Sequence, residues 1–308
     1  MKKNITVLCP RSEFSLEQSQ KLELAGNATY LEGQATLQEM KRISKGAEII
    51  AFTPDKLGKE ARLWLQAILN HSPNVRGLAV NTVESGYIDE NYCKERGIRI
   101  MSVRDTSGQA VFESTLMHLL GCATNHLTNQ ERTFRRRYVS QEGSELKNKT
   151  LGVIGMGEVG QKLAKIAIDL EMRVYSWDEQ PIRMPGVERQ ELSKVLSSSD
   201  LITIHLPDNE ANKKFLSKER IGWINDGAIV INLSGKDLVD ERAMAEALKK
   251  GVVGQYVCES ESTHKSPLLG IETAHILKPY STLTREARVR NYNEWVIAIS
   301  NLAGYPTS

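Results

Sequence analysis

TLGVIGMGEVGQKLAKIAIDLEMRVYSWD, residues 150–178, is the stretch on which the fold turns. LGVIG at 151–155 is an apolar run of strand length, and it passes straight into Gly155-Met156-Gly157-Glu158-Val159-Gly160. An amphipathic run follows at helical spacing, and a second strand pattern, MRVYSW at 172–177, leads to Asp178. Each glycine answers a physical need. Gly155 permits a tight turn, Gly157 lets a pyrophosphate approach the bare backbone, and Gly160 lets the helix lie close to the strand. The start of the helix offers unpaired N–H groups and a partial positive charge to phosphate. Asp178, 18 residues after Gly160, stands where a carboxylate accepts hydrogen bonds from ribose hydroxyls. A lone glycine pattern is weak evidence. The strand before it, the helix after it and the acid at that distance make the dinucleotide reading specific. The charge of Asp178 repels a 2′-phosphate and so points to NAD, while Arg183, five residues on, works against that choice.

The alternation continues on both sides. Downstream, LITIHL (201–206), AIVINL (228–233), VVGQYV (252–257) and HIL (275–277) are strand patterns with helical runs between most of them. Their nearly continuous apolar character fits strands buried on both faces of a parallel sheet. Upstream, ITVLC (5–9), EIIAF (48–52), RGLAV (76–80) and IRIM (98–101) alternate with helical patterns such as LEQSQKLELAG (16–26) and EARLWLQAIL (60–69). The expected fold class is therefore α/β, with parallel sheets covered by helices. VFESTLMHLLGCATNHLTNQ (111–130) reads as one helix leaving the first unit, and REARVRNYNEWVIAISNLAG (285–304) as a final helix.

The 308 residues are about twice the usual size of one domain, so two domains are expected. Hydrophobic residues at 40% and charged residues at 25% are ordinary for a soluble globular chain. A formal net charge of +2 gives no argument for nucleic acid or an acidic membrane as partner. ERTFRRR (131–137) reads as a solvated arm or dimer contact at this charge. Cys9, Cys93, Cys122 and Cys258 lie far apart with no CxxC pair, which argues against disulfides and structural zinc. No metal is expected. MKKNITVLCP reads as a first strand rather than a signal peptide. No apolar run approaches the roughly 18 residues of a membrane span. The expected setting is cytoplasmic, with a small-molecule substrate and neither nucleic acid nor membrane as partner.

GSELKNKTLGVIGMGEVGQKLA (143–164) resembles the cofactor-domain entry of the D-isomer-specific 2-hydroxyacid dehydrogenases, among them phosphoglycerate, glycerate and formate dehydrogenases. LITIHLPDNEANKKFLSKERIGWINDGAIVINLSGKDLVDERAMAEALKKGVVG (201–254) follows the same family pattern, and SPLLGIETAHILKPYSTLTREA (266–287) its closing segment. The resemblance is specific over roughly 143–287 and looser in the first 110 residues. It implies two Rossmann-like domains. Residues 1–112 plus 285–308 would form a smaller, flavodoxin-like substrate domain, and 113–284 a doubly wound NAD-binding domain, with the nicotinamide in a cleft between them. It also implies that His205, Pro207 and Leu233 lie near the cofactor, and that segment 115–150 serves a homodimer.

The family's hydride transfer uses an arginine to hold the substrate carboxylate, a histidine to donate the proton and a glutamate to orient that histidine. Matched residue by residue, the arginine slot is Gly235 in INLSGKDLVDE (231–241) and the histidine slot is Tyr280 in LKPYSTLT. Counting from Gly254, the glutamate slot is Thr263, with Cys258 where the family has aspartate and Glu261 the nearest acid. The loop that offers backbone N–H groups to the carboxylate corresponds to Asn81–Ser85, and Glu84 there would repel an anion.

Two readings follow. In the first, the chemistry has moved. Tyr280 would donate the proton, Lys236 would contact the anion, and a nearby cation, Lys278 or Lys236, would lower the tyrosine's pKa. Lys278 would share a strand face with Tyr280, and His264 is an alternative acid. In the second, the chemistry is lost and the chain is an NAD-binding sensor acting through a partner. The usual 2-hydroxyacid reaction survives only if another arginine, such as Arg104, enters the cleft. The bland alternatives are a solvated Lys236, a Tyr280 that caps a domain junction, a small buried Cys258, and Asp237, Asp240 and Glu241 as the acidic start of a helix.

Overall fold

A computed structural model describes residues 2–33, 35–82, 88–104, 106–137, 139–260 and 265–305. The chain divides into two compact units, Met1–Ser107 with Arg285–Ser308, and Gly108–Thr284.

The first unit runs β1 (Lys3–Val7), α1 (Leu16–Ala25), β2 (Gly26–Tyr30), α2 (Leu37–Ser44), β3 (Ile49–Phe52), α3 (Pro54–Leu57), α4 (Ala61–His71), β4 (Gly77–Val80), α5 (Glu90–Glu95) and β5 (Arg99–Ser102). Its strands are parallel and lie in the order β2-β1-β3-β4-β5, as in flavodoxin-like sheets. The sequence pattern conceals β2, because GNATY has little apolar character and follows α1 without a loop. A capping box starts α1, with the Ser15 hydroxyl accepting from the Gln18 backbone N–H and the Gln18 side chain accepting from that of Ser15. Gly26 lets β2 close onto β1, since a Cβ there would lie 2.5 Å from Ile5 Cδ1 and 2.6 Å from the Lys3 carbonyl oxygen.

The second unit runs α6 (Gly108–Ala123), α7 (His126–Phe134), β6 (Thr150–Ile154), α8 (Glu158–Asp169), β7 (Arg173–Trp177), β8 (Val187–Arg189), α9 (Leu192–Ser198), β9 (Leu201–Ile204), α10 (Lys218–Ile221), β10 (Ala228–Asn232), α11 (Glu241–Lys250), β11 (Val253–Glu259) and β12 (Ala274–Leu277). Its seven parallel strands lie in the order β12-β11-β10-β9-β6-β7-β8. Numbered from β6, this is the 3-2-1-4-5-6 order of a doubly wound dinucleotide-binding sheet with one strand added. The order reverses between β6 and β9, both buried along their whole length. Ligands of such sheets bind outside the carboxyl ends of the strands at that reversal.

The single helix expected over 111–130 is two helices. Asn125 breaks it at φ 52°, a left-handed conformation that asparagine tolerates. Its side chain is held by the Glu142 carbonyl at 2.6 Å and the Gln255 amide at 2.9 Å, contacts that no local pattern announces. The last helix, α12 (Arg285–Ala303), packs in the first unit. Its Trp295 is fully buried and donates from Nε1 to the Ala79 carbonyl at 3.1 Å. Cys9, Cys93, Cys122 and Cys258 are all buried, free thiols. Among the described residues, no helix is long and apolar enough to cross a membrane.

Candidate active site

The glycine turn joins β6 to α8, and each glycine has a visible reason. Gly155 has φ 92°, and a Cβ on it would lie 2.7 Å from the His205 carbonyl oxygen at the end of β9. A Cβ on Gly160 would overlap the Gly155 carbonyl oxygen, so α8 could not approach β6. Gly157 is exposed and meets nothing within 4 Å, which leaves its backbone open to a ligand. Asp178, just past β7, reaches back across the turn. Its Oδ2 accepts from the Met156 N–H at 2.6 Å and its Oδ1 from the Gln180 N–H at 2.8 Å. Glu158 opens α8 and pairs with Lys162 at 2.6 Å, while Val159 is half-buried.

His205 donates its backbone N–H to the Ile154 carbonyl at 2.7 Å. Part of the residue is accessible, but its Nε2 is enclosed and has no partner among the described residues. Burial pushes the imidazole down to about 4, so the ring is neutral at ordinary pH. Leu233 is half-buried against the core beneath β6, and Pro207 is exposed. An open glycine backbone at a helix start, and an unpaired nitrogen on the residue whose carbonyl touches that turn, suit a bound dinucleotide. After Asp178 the chain lines a cavity of about 410 Å³ that includes Arg183 and Arg189.

The turn at Ser234–Gly235 is built by Asn232. Its Oδ1 accepts from the Ser234 and Gly235 N–H groups, and its Nδ2 donates to the Gly235 carbonyl at 2.7 Å. Ser234 ties the turn to β9 through the Ile204 carbonyl at 2.9 Å. A Cβ on Gly235 would overlap the carboxylate of Asp208 and lie 2.6 Å from that residue's own Cβ. The volume in which an arginine side chain would begin is thus filled by an acid. Lys236 is exposed and lines a separate cavity of about 590 Å³ together with Lys213, Lys218, Arg242 and Lys265. Neither Asp208 nor Tyr280 lines that cavity. Asp240 is the N-cap of α11 and Glu241 its first residue, whereas Asp237 lies in the preceding 3-10 turn.

The Tyr280 hydroxyl lies 2.9 Å from Nε2 of His118, which is buried in the middle of α6. Glu259, at the end of β11, holds the tyrosine's backbone. Its Oε1 accepts from the Tyr280 and Ser281 N–H groups at 3.0 and 2.8 Å, and its Oε2 from the Ser281 hydroxyl at 2.7 Å. The expected lysine partner gives way to this histidine. β12 ends at Leu277, so the alternation that would put Lys278 and Tyr280 on one face has already stopped. No hydrogen bond joins Lys236 to Tyr280. The expected direction of the tyrosine's pKa is reversed as well, because burial, with Glu259 beside it, raises it. Desolvation lowers His118, against the opposing pull of Glu259, and keeps the ring neutral.

Sequence reasoning missed His118, Glu259 and Asp208. A histidine in the apolar run VFESTLMHLLGC was the one visible signal. Glu84, Glu261, Thr263 and His264 lie outside the described residues. Arg104 is 88% exposed and faces Glu294 of α12 at 3.6 Å.

Residues 116–280 match the model of the D-isomer specific 2-hydroxyacid dehydrogenase NAD binding domain. The chain belongs to the D-isomer specific 2-hydroxyacid dehydrogenase family. Its second unit is the family's NAD-binding Rossmann domain. A hydroxypyruvate reductase of Thermotoga maritima is 29% identical over 190 residues, 60% of this chain and 62% of that protein. A D-3-phosphoglycerate dehydrogenase of Methanocaldococcus jannaschii is 29% identical over 212 residues, 65% of this chain and 40% of that protein. The matches thus span under two thirds of either relative's length. The solved D-lactate dehydrogenase of Aquifex aeolicus, complexed with NAD and lactic acid, superposes with a TM-score of 0.71 at 21% identity, over 95% of this chain and 93% of that one.

Proposed function

We propose that the protein is an NAD-dependent oxidoreductase acting on a small carbonyl or hydroxy compound, with Tyr280 in the role of proton donor. NAD, when bound, supplies the hydride chemistry. The observation that carries the reading is the 2.9 Å contact between the Tyr280 hydroxyl and His118 Nε2. A tyrosine whose pKa is raised stays protonated through the neutral range. An alkoxide developing on the substrate is a far stronger base than a phenolate, so transfer from Tyr280 runs downhill. With the proton on Nε2, neutral His118 donates to the phenol oxygen and leaves the O–H free to face substrate. His118 is then a positioning residue, and Glu259 fixes the backbone from which Tyr280 projects. Cofactor contacts fall to the 155–160 turn, Asp178, His205, Pro207 and Leu233. Lys236 takes no part in this reading.

Screening aldehydes, ketones and 2-keto acids by the loss of NADH absorbance tests the proposal. Against any substrate found, Tyr280→Phe should lower kcat by about 10²–10⁴-fold and leave NADH affinity unchanged. An unaltered rate removes Tyr280 from the chemistry. His118→Gln should move the pH profile of kcat, which a purely structural histidine would not do.

The second reading, a non-catalytic NAD-binding sensor, draws on the acid that stands in the arginine slot. Tight NADH binding with no turnover across the panel would favour it. For either reading we infer a homodimer through segment 115–150, where Met117, Leu120, Phe134 and Val139 are exposed by 50, 43, 80 and 73%.

A further inference from the structure

Lys236 belongs to a cavity of about 590 Å³ that the oxidoreductase chemistry leaves unused. None of the turn 155–160, Asp178, His118 or Tyr280 lines it. Three stretches of the second unit build it. A short ladder lays 213–218 against 236–246. The Lys214 N–H donates to the Asp237 carbonyl at 2.7 Å, the Leu216 N–H to that of Leu238 at 2.9 Å, and the Asp240 N–H to that of Leu216 at 3.0 Å. The third stretch, 265–267, is tied in by the Ser266 hydroxyl, which donates to Glu241 at 3.3 Å. The volume suits a small molecule, since such sites measure about 300–1,000 Å³.

Six cations line the cavity: Lys213, Lys214, Lys218, Lys236, Arg242 and Lys265. Two are engaged, Lys213 with Glu210 and Lys214 with Asp240, each at 3.3 Å. Lys218, Lys236, Arg242 and Lys265 are exposed and make no ion pair among the described residues. Of the four acids in the lining, Asp240 also caps α11 through the Ala243 N–H at 3.2 Å, and Glu241 holds Ser266. That leaves Asp237 and Glu246 against the unpaired cations. Two of those cations stand where helix electrostatics disfavours them. Lys218 is the first residue of α10 and Arg242 the second of α11, and the start of a helix already carries partial positive charge. Like charges gathered in one concavity against a local rule mark a functional site, and an anion would relieve them. Ammonium groups act as point charges that can surround a phosphate, whereas a carboxylate is best met by arginine's planar fork. We propose that this cavity is a binding site, separate from the cofactor turn, for a small molecule bearing a diphosphate or two phosphate groups. The assignment does not depend on the oxidoreductase reading.

Titration calorimetry of inorganic pyrophosphate into the full-length protein saturated with NADH tests the proposal, because the cofactor then covers the glycine turn. Pyrophosphate should bind at least about tenfold more tightly than succinate, whose two charges sit on carboxylates. Lys236→Gln with Arg242→Gln should weaken it about tenfold or more, and so should Lys218→Gln with Lys265→Gln. All four side chains are exposed, so circular dichroism should show the fold retained. Lys45→Gln with Lys94→Gln removes two exposed lysines of the first unit and should leave the affinity within about twofold. No binding of pyrophosphate, succinate binding as tightly, affinity unchanged in both cavity variants, or an equal loss in the Lys45 and Lys94 variant would each overturn the proposal. NADH affinity should be the same in both cavity variants; a parallel loss would merge this cavity with the cofactor site and overturn the proposal too.

Discussion

Asp178 joins two tasks in one carboxylate. It accepts the Met156 N–H and so ties the end of β7 to the glycine turn, and lone pairs remain for a ribose hydroxyl. Asp178→Ala should therefore raise the Kd for NADH about tenfold or more with the fold retained, as read by fluorescence titration; indifference would mean that the ribose lies elsewhere. The turn residues were legible because the glycines are neighbours in sequence and each carries a steric duty that local geometry states. Tyr280 was legible only as a departure from a pattern. Its partner His118 is 162 residues away, and a lysine two residues off looked closer on paper. Asp208 was invisible for the same reason: nothing local to PDNEANKK says that its side chain will take the volume belonging to residue 235.

Among the elements, strands with continuous apolar runs were read to within a residue or two at most ends, because burial on both faces selects Val, Ile and Leu without a break. The misses, β2 and β8, are strands at the edges of their sheets and carry polar side chains. The break between α6 and α7 was missed since tertiary contacts to Glu142 and Gln255 hold Asn125 left-handed. These two helices also carry the prediction on assembly. The paired substitutions Met117→Asp and Leu120→Asp should turn a dimer into a monomer in size-exclusion chromatography with light scattering. A wild-type monomer would remove the inferred interface.

For the molecule as a whole, acid is the condition that reads out its buried imidazoles. His118, His205 and His275 are each lowered chiefly by desolvation. The unfolded chain takes up protons near pH 6.5 while folded His205 waits until about 4. Its contribution is complete above pH 6.5 and is lost as the pH falls towards 4, up to about 3 kcal/mol over that window. Urea unfolding at pH 7 and pH 5 should show the loss, and His205→Gln should flatten it; an identical pH slope in the variant would place the titration elsewhere. The sequence alone determined the α/β alternation and the glycine turn with its acid, since each depends on neighbours along the chain or on strand-length burial. Only the tertiary structure decided what surrounds Gly235 and Tyr280. An acid past β9 fills the space beside Gly235 and a histidine within α6 meets the tyrosine, because those contacts exist only once distant strand ends and helices are packed side by side.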